Sequence, residues 1–127
     1  KIISMKTHTS MNTNISGQAM AYEATKTPKS FINNQLKIWE ERKDLLYNGL
    51  IELELDLWNP EGAFYMLPKI NNAKKFVWDM YNDHDVITYL GDWFGAPGRV
   101  RFSYALDVEK IKDGLSRINT YLRKNDI

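Results

Sequence analysis

Large apolar residues recur along one stretch of the chain at alternating spacings of four and three. The series, in which only the slot of Lys43 is not apolar, consists of Ile32, Leu36, Trp39, Leu46, Leu50, Leu53 and Leu57. Such spacing places the side chains on one face of an α-helix. Thr27 and Pro28 precede the series as a start signal, because threonine can cap a helix and proline suits its first position. The pattern predicts a long helix over residues 28–55, with the apolar stripe packed in the core.

Shorter patterns predict the remaining elements. Small residues and N-cap side chains predict three further helices: over residues 13–25 with a cap from Ser10, Asn12 or Thr13, after Asn71 or Asn72, and after Asp107. Apolar and aromatic runs predict strands over residues 63–67, 85–90 and 99–105. The order α-α-β-α-β-β-α has strands separated by helices and then a hairpin-like pair of strands. It indicates an α/β (α+β-like) fold, a small mixed three-stranded sheet with helices packed on it, preceded by the long helix.

Composition and charge narrow the classes of function. The 127 residues, 43% hydrophobic and 26% charged, are typical of one globular domain. Seventeen basic and sixteen acidic residues give a net charge of +1, which argues against a partner that is nucleic acid or membrane. A chain without cysteine or a long apolar segment suits the cytoplasm. Because the chain opens at Lys1 without an initiator methionine, we interpret it as a fragment of a longer protein.

Few residues offer catalytic chemistry. The two histidines, His8 and His84, match no metal-ligand spacing, so the sequence predicts no metal site. The Gly-x-Ser-x-Gly pattern of a nucleophile elbow is absent from the sequence. The glycines at positions 91, 95 and 98 resemble a phosphate-binding loop only weakly, and tight turns explain them better.

Arg101 is the side chain that most needs an explanation. Period-2 alternation places it with Arg99 and Ser103 on one face of a strand, opposite three apolar or aromatic residues. A guanidinium on a packed strand needs an anionic partner, and its planar fork matches a carboxylate. Spacing alone favours an ion pair with a helix carboxylate over a substrate carboxylate. Binding of single-stranded nucleic acid through these arginines, Trp93 and Phe94 is a further alternative that the low net charge disfavours.

Five stretches of the chain carry recognisable motifs. In chain order they read SMNTNISGQ (residues 10–18), ERKDLLYNGL (41–50), PEGAFYMLP (60–68), LGDWFG (90–95) and VRFSYA (100–105). Together they resemble the class I/II aminotransferases, whose motifs at these places are T-S-N-x-x-S-x-x-Q, E-R-R-D-x-x-x-x-G-L, P-x-G-A-F-Y-x-x-P, P-G-S-x-F-G and I-R-L-S-Y-A. Leu90 replaces the family's proline, and Asp92-Trp93 replaces small residues, which leaves the preferred substrate side chain open.

The resemblance implies a fold-type I enzyme, usually a homodimer, that uses pyridoxal phosphate as its cofactor. It would transfer an amino group from an amino acid, aspartate or similar, to a 2-oxo acid. Residues 1–27 would be the helical tail end of the large cofactor-binding domain, and residues 28–127 the C-terminal small domain. Arg101 takes the position of the arginine that binds the substrate α-carboxylate, which reverses the preference for a structural ion pair. The loop of residues 90–98 would lie near the active-site entrance.

The family's Schiff-base lysine lies in an S-K-x-x-x-x-x-G-x-R pattern that this chain lacks. We therefore assign no catalytic, cofactor-binding or metal-binding residue, and Arg101 is the single assigned substrate-binding residue. We expect the chain alone neither to bind pyridoxal phosphate nor to catalyse. The alternative function is a non-catalytic binding or dimerisation module derived from the same domain.

Overall fold

Helices dominate the computed structural model, which describes residues 1–125. Its elements in chain order are helices α1 (Ile2–Thr9), α2 (Ile15–Ala24) and α3 (Lys29–Glu52), strand β1 (Tyr65–Met66), helix α4 (Ala73–His84), strand β2 (Tyr89–Leu90), a 3-10 helix (Gly91–Phe94), strand β3 (Val100–Ser103) and helix α5 (Val108–Lys124). The predicted fold class is confirmed, with α1 and the 3-10 helix as additions. The chain divides into two compact units, the second of which begins at Leu36. Among the described residues, no helix combines the length and apolar character that crossing a membrane requires.

The sheet has the order β1-β3-β2, so β3 is its central strand. β1 pairs with β3 so that Tyr65 lies opposite Ser103, and β2 pairs with β3 so that Tyr89 lies opposite Arg101. Both pairings are antiparallel. The pair of β2 and β3 agrees with the predicted hairpin-like pair, whereas the pair of β1 and β3 departs from the predicted mixed sheet. The reason for β2 and β3 is the short connection over residues 91–99, since a parallel pair needs a crossover of about a dozen residues or more.

The strands are shorter than the sequence predicts. The predicted strand 85–90 is reduced to β2 because Asp85 has a left-handed backbone with φ 53° at the end of α4. The next residue is also tied to that helix, since the Val86 N–H donates to the Met80 carbonyl at 2.9 Å. In the same way Ala63, with φ 65°, lies outside β1. Left-handed residues cannot continue the extended ladder, so each strand begins after them.

The core of the second unit lies between β3, α4, α5 and the C-terminal half of α3. Its buried apolar residues are Leu46, Leu50, Leu57, Met66, Ile70, Ala73, Phe76, Val77, Met80, Val100, Phe102, Tyr104, Ile111, Ile118, Tyr121 and Leu122. Alternate residues of β3 face this core, as predicted, because Val100 and Phe102 are buried whereas Arg101 is half-buried and Ser103 exposed. The sheet therefore has one apolar face and one face that is available for polar chemistry.

The apolar stripe of α3 is divided between core and surface. Leu46 and Leu50 are buried, as predicted, while Ile32 and Leu36 are exposed large hydrophobic residues. The prediction of a core stripe is therefore wrong for Ile32 and Leu36, whereas Trp39 is half-buried and packs against the core. The reason is that the buried residues which α3 contributes to the described core begin only at Leu46.

Several helix caps differ from those predicted. α2 is capped by Asn14, whose Oδ1 accepts a first-turn backbone N–H at 2.6 Å. The Thr27 hydroxyl donates backward to the Ala24 carbonyl at 2.8 Å and forms no cap of α3. Asp107 holds the N-cap position of α5 without a cap hydrogen bond, and its carboxylate lies 3.3 Å from Arg42 instead. A residue with a side-chain oxygen therefore indicates where a helix begins, but it does not determine which group that side chain bonds to.

Candidate substrate-binding site at Arg101

Arg101 lies at the centre of β3, on the face of the sheet away from the core. Tyr89 is its direct partner on β2, and Tyr65 on β1 lies opposite Ser103, two residues further along β3. Residues that face each other across antiparallel strands point to the same side of the sheet, and so do residues two apart on one strand. The register therefore brings both tyrosine rings to the side of the sheet that carries Arg101.

Three aromatic rings surround the guanidinium of Arg101. The guanidinium carbon lies 4.1 Å from the ring centroid of Phe94, 4.8 Å from that of Tyr89 and 5.4 Å from that of Tyr65. All three distances fall within the roughly 6 Å range of a cation–π interaction. We call these four residues the Arg101 cluster.

No protein anion neutralises this cation in the described part of the chain. Over residues 1–125, the arginine hydrogen bonds and ion pairs belong to Arg42, Arg99 and Arg117, and Arg101 takes part in none of them. A guanidinium carries five N–H donors, so those of Arg101 are available to a ligand. Spacing alone favours a helix carboxylate as the partner of Arg101, but no carboxylate of the described residues forms a hydrogen bond or ion pair with it.

Arg99 lies two residues away, directly before β3, and has quite different neighbours. Its guanidinium donates to the Leu67 carbonyl at 2.8 Å, and to the Asp56 carbonyl at 3.3 Å and carboxylate at 3.4 Å. The ring of Trp58 lies 3.9 Å from its guanidinium carbon. We call these four residues the Arg99 cluster. Because its side chain is only 14% exposed and its donors are used internally, Arg99 ties two loops to β3.

Two glycines shape the turn that carries Phe94. Gly95 ends the 3-10 helix in a left-handed conformation with φ +73°, which glycine adopts without strain. Gly91 has no room for a Cβ, because that atom would meet the Ala96 carbonyl oxygen and would lie 2.7 Å from the Arg99 carbonyl oxygen. Its own N–H donates to the Arg99 carbonyl at 2.8 Å. The tight-turn explanation of these glycines is thus confirmed.

The aromatic members of the Arg101 cluster are not predicted as site residues by the sequence. Strand alternation places Arg101 on a face, but only the register of β2 against β3 brings Tyr89 beside it. Phe94 lies within a turn that Gly91 begins and Gly95 ends, so the direction of its side chain cannot be read from spacing. Of the two histidines, His8 is exposed in α1, and His84 ends α4 with its ring edge against Tyr121.

Fold and site together define a helix-rich domain with a small antiparallel sheet, on which a guanidinium lies among aromatic rings and has no anionic partner within residues 1–125. The chain belongs to the aminotransferases of class I and II, because the model of that family matches residues 3–118. The family assignment made from the five motifs is therefore confirmed.

Individual proteins to which the chain is similar are also aminotransferases. The chain is 33% identical to a probable aspartate/prephenate aminotransferase of Aquifex aeolicus, over 97% of this chain and 34% of that protein. It is 26% identical to an aspartate aminotransferase of Bacillus sp., over 94% of this chain and 33% of that protein. Among solved structures, the aromatic aminotransferase of Pyrococcus horikoshii superposes with a TM-score of 0.89 at 28% identity, over 97% of this chain and 35% of that one. The chain thus spans about a third of the length of these relatives.

Proposed function

We propose that this chain is the substrate-carboxylate-binding part of a pyridoxal-phosphate-dependent aminotransferase. The full-length protein transfers an amino group from an amino acid, aspartate or similar, to a 2-oxo acid, and Arg101 binds the substrate α-carboxylate. One observation carries the proposal: among the described residues, the guanidinium of Arg101 has three ring neighbours and no anion. Two relatives support the choice of substrate, the probable aspartate/prephenate aminotransferase of Aquifex aeolicus and the aspartate aminotransferase of Bacillus sp..

The chemistry of the guanidinium suits this role. Its planar fork donates two parallel hydrogen bonds to a carboxylate, which fixes the orientation of the substrate as well as its position. A hydrogen bond to a charged group contributes about 1.5–3 kcal/mol. Aromatic neighbours limit the access of water, and this strengthens the ionic attraction.

The Arg101 cluster does not by itself fit the cofactor. It contains one guanidinium and three aromatic rings and no amine, so none of its groups can bond covalently to the pyridoxal aldehyde. When bound, pyridoxal phosphate would supply the aldehyde carbon that takes up the amino group and a ring that withdraws electrons from it. We propose that a lysine outside this chain holds it, and that the chain alone is inactive. We also propose that the full-length protein is a cytoplasmic homodimer.

The substitution Arg101→Lys in the full-length protein tests the role of this residue. Lysine keeps the charge and loses the fork, so we expect kcat/KM for the amino acid to fall on the order of 10²-fold or more. Cofactor binding, measured by absorbance, should be unchanged. If Arg101 were only structural, the melting temperature would fall while the kinetics of the folded protein stayed nearly constant.

A further inference from the structure

We propose that Tyr89 and Phe94 are positioning residues, whose rings hold the Arg101 guanidinium in place for the substrate carboxylate. This inference rests on the proposed function of Arg101 and adds two residues to the site. Neither ring has to touch the substrate, since each acts through the guanidinium that it contacts.

The two rings come from elements with fixed relations to Arg101. Tyr89 is its cross-strand partner, and its ring centroid lies 4.8 Å from the guanidinium carbon. Phe94 is the last residue of the 3-10 helix, and its ring centroid lies 4.1 Å from the same carbon. A strand register and a glycine-bounded turn hold side chains more firmly than a long flexible loop would.

Aromatic neighbours hold a cation without competing for its donors. A carboxylate beside Arg101 would fix the side chain equally well, but it would occupy the same N–H groups that a substrate needs. Arg99 illustrates that case, because Asp56 and Leu67 take up its donors. A ring attracts the positive charge through its π electrons and leaves the strong N–H donors unpaired. Ordering the long arginine side chain before the ligand arrives lowers the entropic cost of binding.

Both rings remain partly open to solvent, as a ligand site requires. Tyr89 is 42% exposed and Phe94 is 48% exposed, and the exposed Trp93 lies edge-on to Tyr89 with centroids 6.3 Å apart. The rings therefore restrict the guanidinium without sealing it off. Their exposure also means that removing either ring leaves the buried core of the unit intact.

The test measures the binding of succinate, a dicarboxylate that cannot react, to the full-length protein carrying Tyr89→Leu or Phe94→Leu. We expect each substitution to weaken succinate binding by about two- to fivefold, the effect of one exposed cation–π contact. Tyr89→Phe keeps the ring and should bind as the unmodified protein does. Tyr81→Leu is the matched control, because Tyr81 is a similarly exposed aromatic residue on α4 whose ring pairs with Trp78. All four variants should melt within a few degrees of the unmodified protein.

A double-mutant cycle separates positioning from general packing. If Tyr89 acts through Arg101, the Tyr89→Leu effect on succinate should disappear in an Arg101→Leu background. Two results would overturn this inference and leave the proposed function intact. One is that Tyr89→Leu weakens succinate binding equally with and without Arg101→Leu. The other is that neither Tyr89→Leu nor Phe94→Leu alone changes succinate binding. Unchanged succinate binding by Arg101→Leu, or no saturable binding by the unmodified protein, would instead overturn the proposed function and the inference with it.

Discussion

Two arginines that are separated by a single residue, Arg101 within β3 and Arg99 in an isolated bridge directly before it, have opposite surroundings. Arg99 donates to a carboxylate and two carbonyls, and these contacts join β3 to the loops at Asp56 and Leu67. Within residues 1–125, the groups that could hold the guanidinium of Arg101 are all aromatic rings. We infer that the neighbours of a guanidinium decide whether its donors are used within the fold or left free for a ligand.

The physical basis of the difference is the use of the N–H donors. Hydrogen bonds to carbonyl and carboxylate oxygens satisfy a guanidinium and leave little for a ligand. Ring faces stabilise the same charge but leave the donors unpaired. The Arg99 cluster should therefore contribute mainly to stability, and the Arg101 cluster mainly to binding. Each of the following predictions changes one cluster, or neither, and asks whether this division holds.

The largest expected effect on stability is that of Arg99→Leu. It leaves the Leu67 carbonyl and the Asp56 carboxylate without their donor, so we expect the free energy of unfolding to fall by about 1.5–3 kcal/mol. Arg101→Leu is the matched comparison and should cost about 1 kcal/mol or less, because it removes exposed cation–π contacts only. Urea unfolding of the 127-residue chain measures both. Equal losses for the two variants would contradict the division between the clusters.

A smaller effect is expected from Gly95→Ala. With φ +73° this position is left-handed, and an alanine there should cost about 1–2 kcal/mol. Since Gly95 directly follows Phe94, the strain should also weaken succinate binding through the Arg101 cluster. Gly114→Ala is a control of opposite sign, because Gly114 lies within α5 with nothing near its Cβ position. It should raise stability by roughly 0.5–1 kcal/mol and leave succinate binding unchanged.

The smallest effect concerns a carboxylate outside both clusters. Hydrogen bonds from Lys75, and secondly from Tyr121, hold the pKa of Asp79 below its ordinary value. A group whose pKa is lowered on folding adds stability above its unfolded pKa of about 3.9, and this stability is lost as the pH falls through the lower folded pKa. Melting temperatures measured as a function of pH should therefore show a weaker acid response for Asp79→Asn. A changed affinity for succinate in that variant would mean that Asp79 is coupled to the Arg101 cluster.

The sequence predicts most of the fold because the fold depends on local periodicity. The alternation along β3 and the Leu46–Leu50 part of the stripe follow from side-chain spacing alone, and both are found in the core. The exposure of Ile32 and Leu36 could not be predicted in this way, since periodicity defines a face of a helix and says nothing about what covers it.

The site is only half predictable for a related reason. Arg101 is found by its face on the strand together with the family motif around it. Tyr89 and Phe94 depend on the strand register and on a turn with left-handed glycine, and both are tertiary properties. That Arg101 has no acidic partner among residues 1–125 also requires the structure, because an acidic side chain distant in sequence could have neutralised it, as Asp56 does for Arg99.

The most direct test of the account compares Arg101→Lys and Arg99→Lys in the full-length protein, with kcat/KM and melting temperature measured for each. We predict that Arg101→Lys lowers kcat/KM on the order of 10²-fold with little change in melting temperature. Arg99→Lys should do the reverse, because lysine cannot reproduce the several directed hydrogen bonds that Arg99 makes. A fall in melting temperature alone for Arg101→Lys, or the same loss of activity in both variants, would contradict a binding role for Arg101 and a structural role for Arg99.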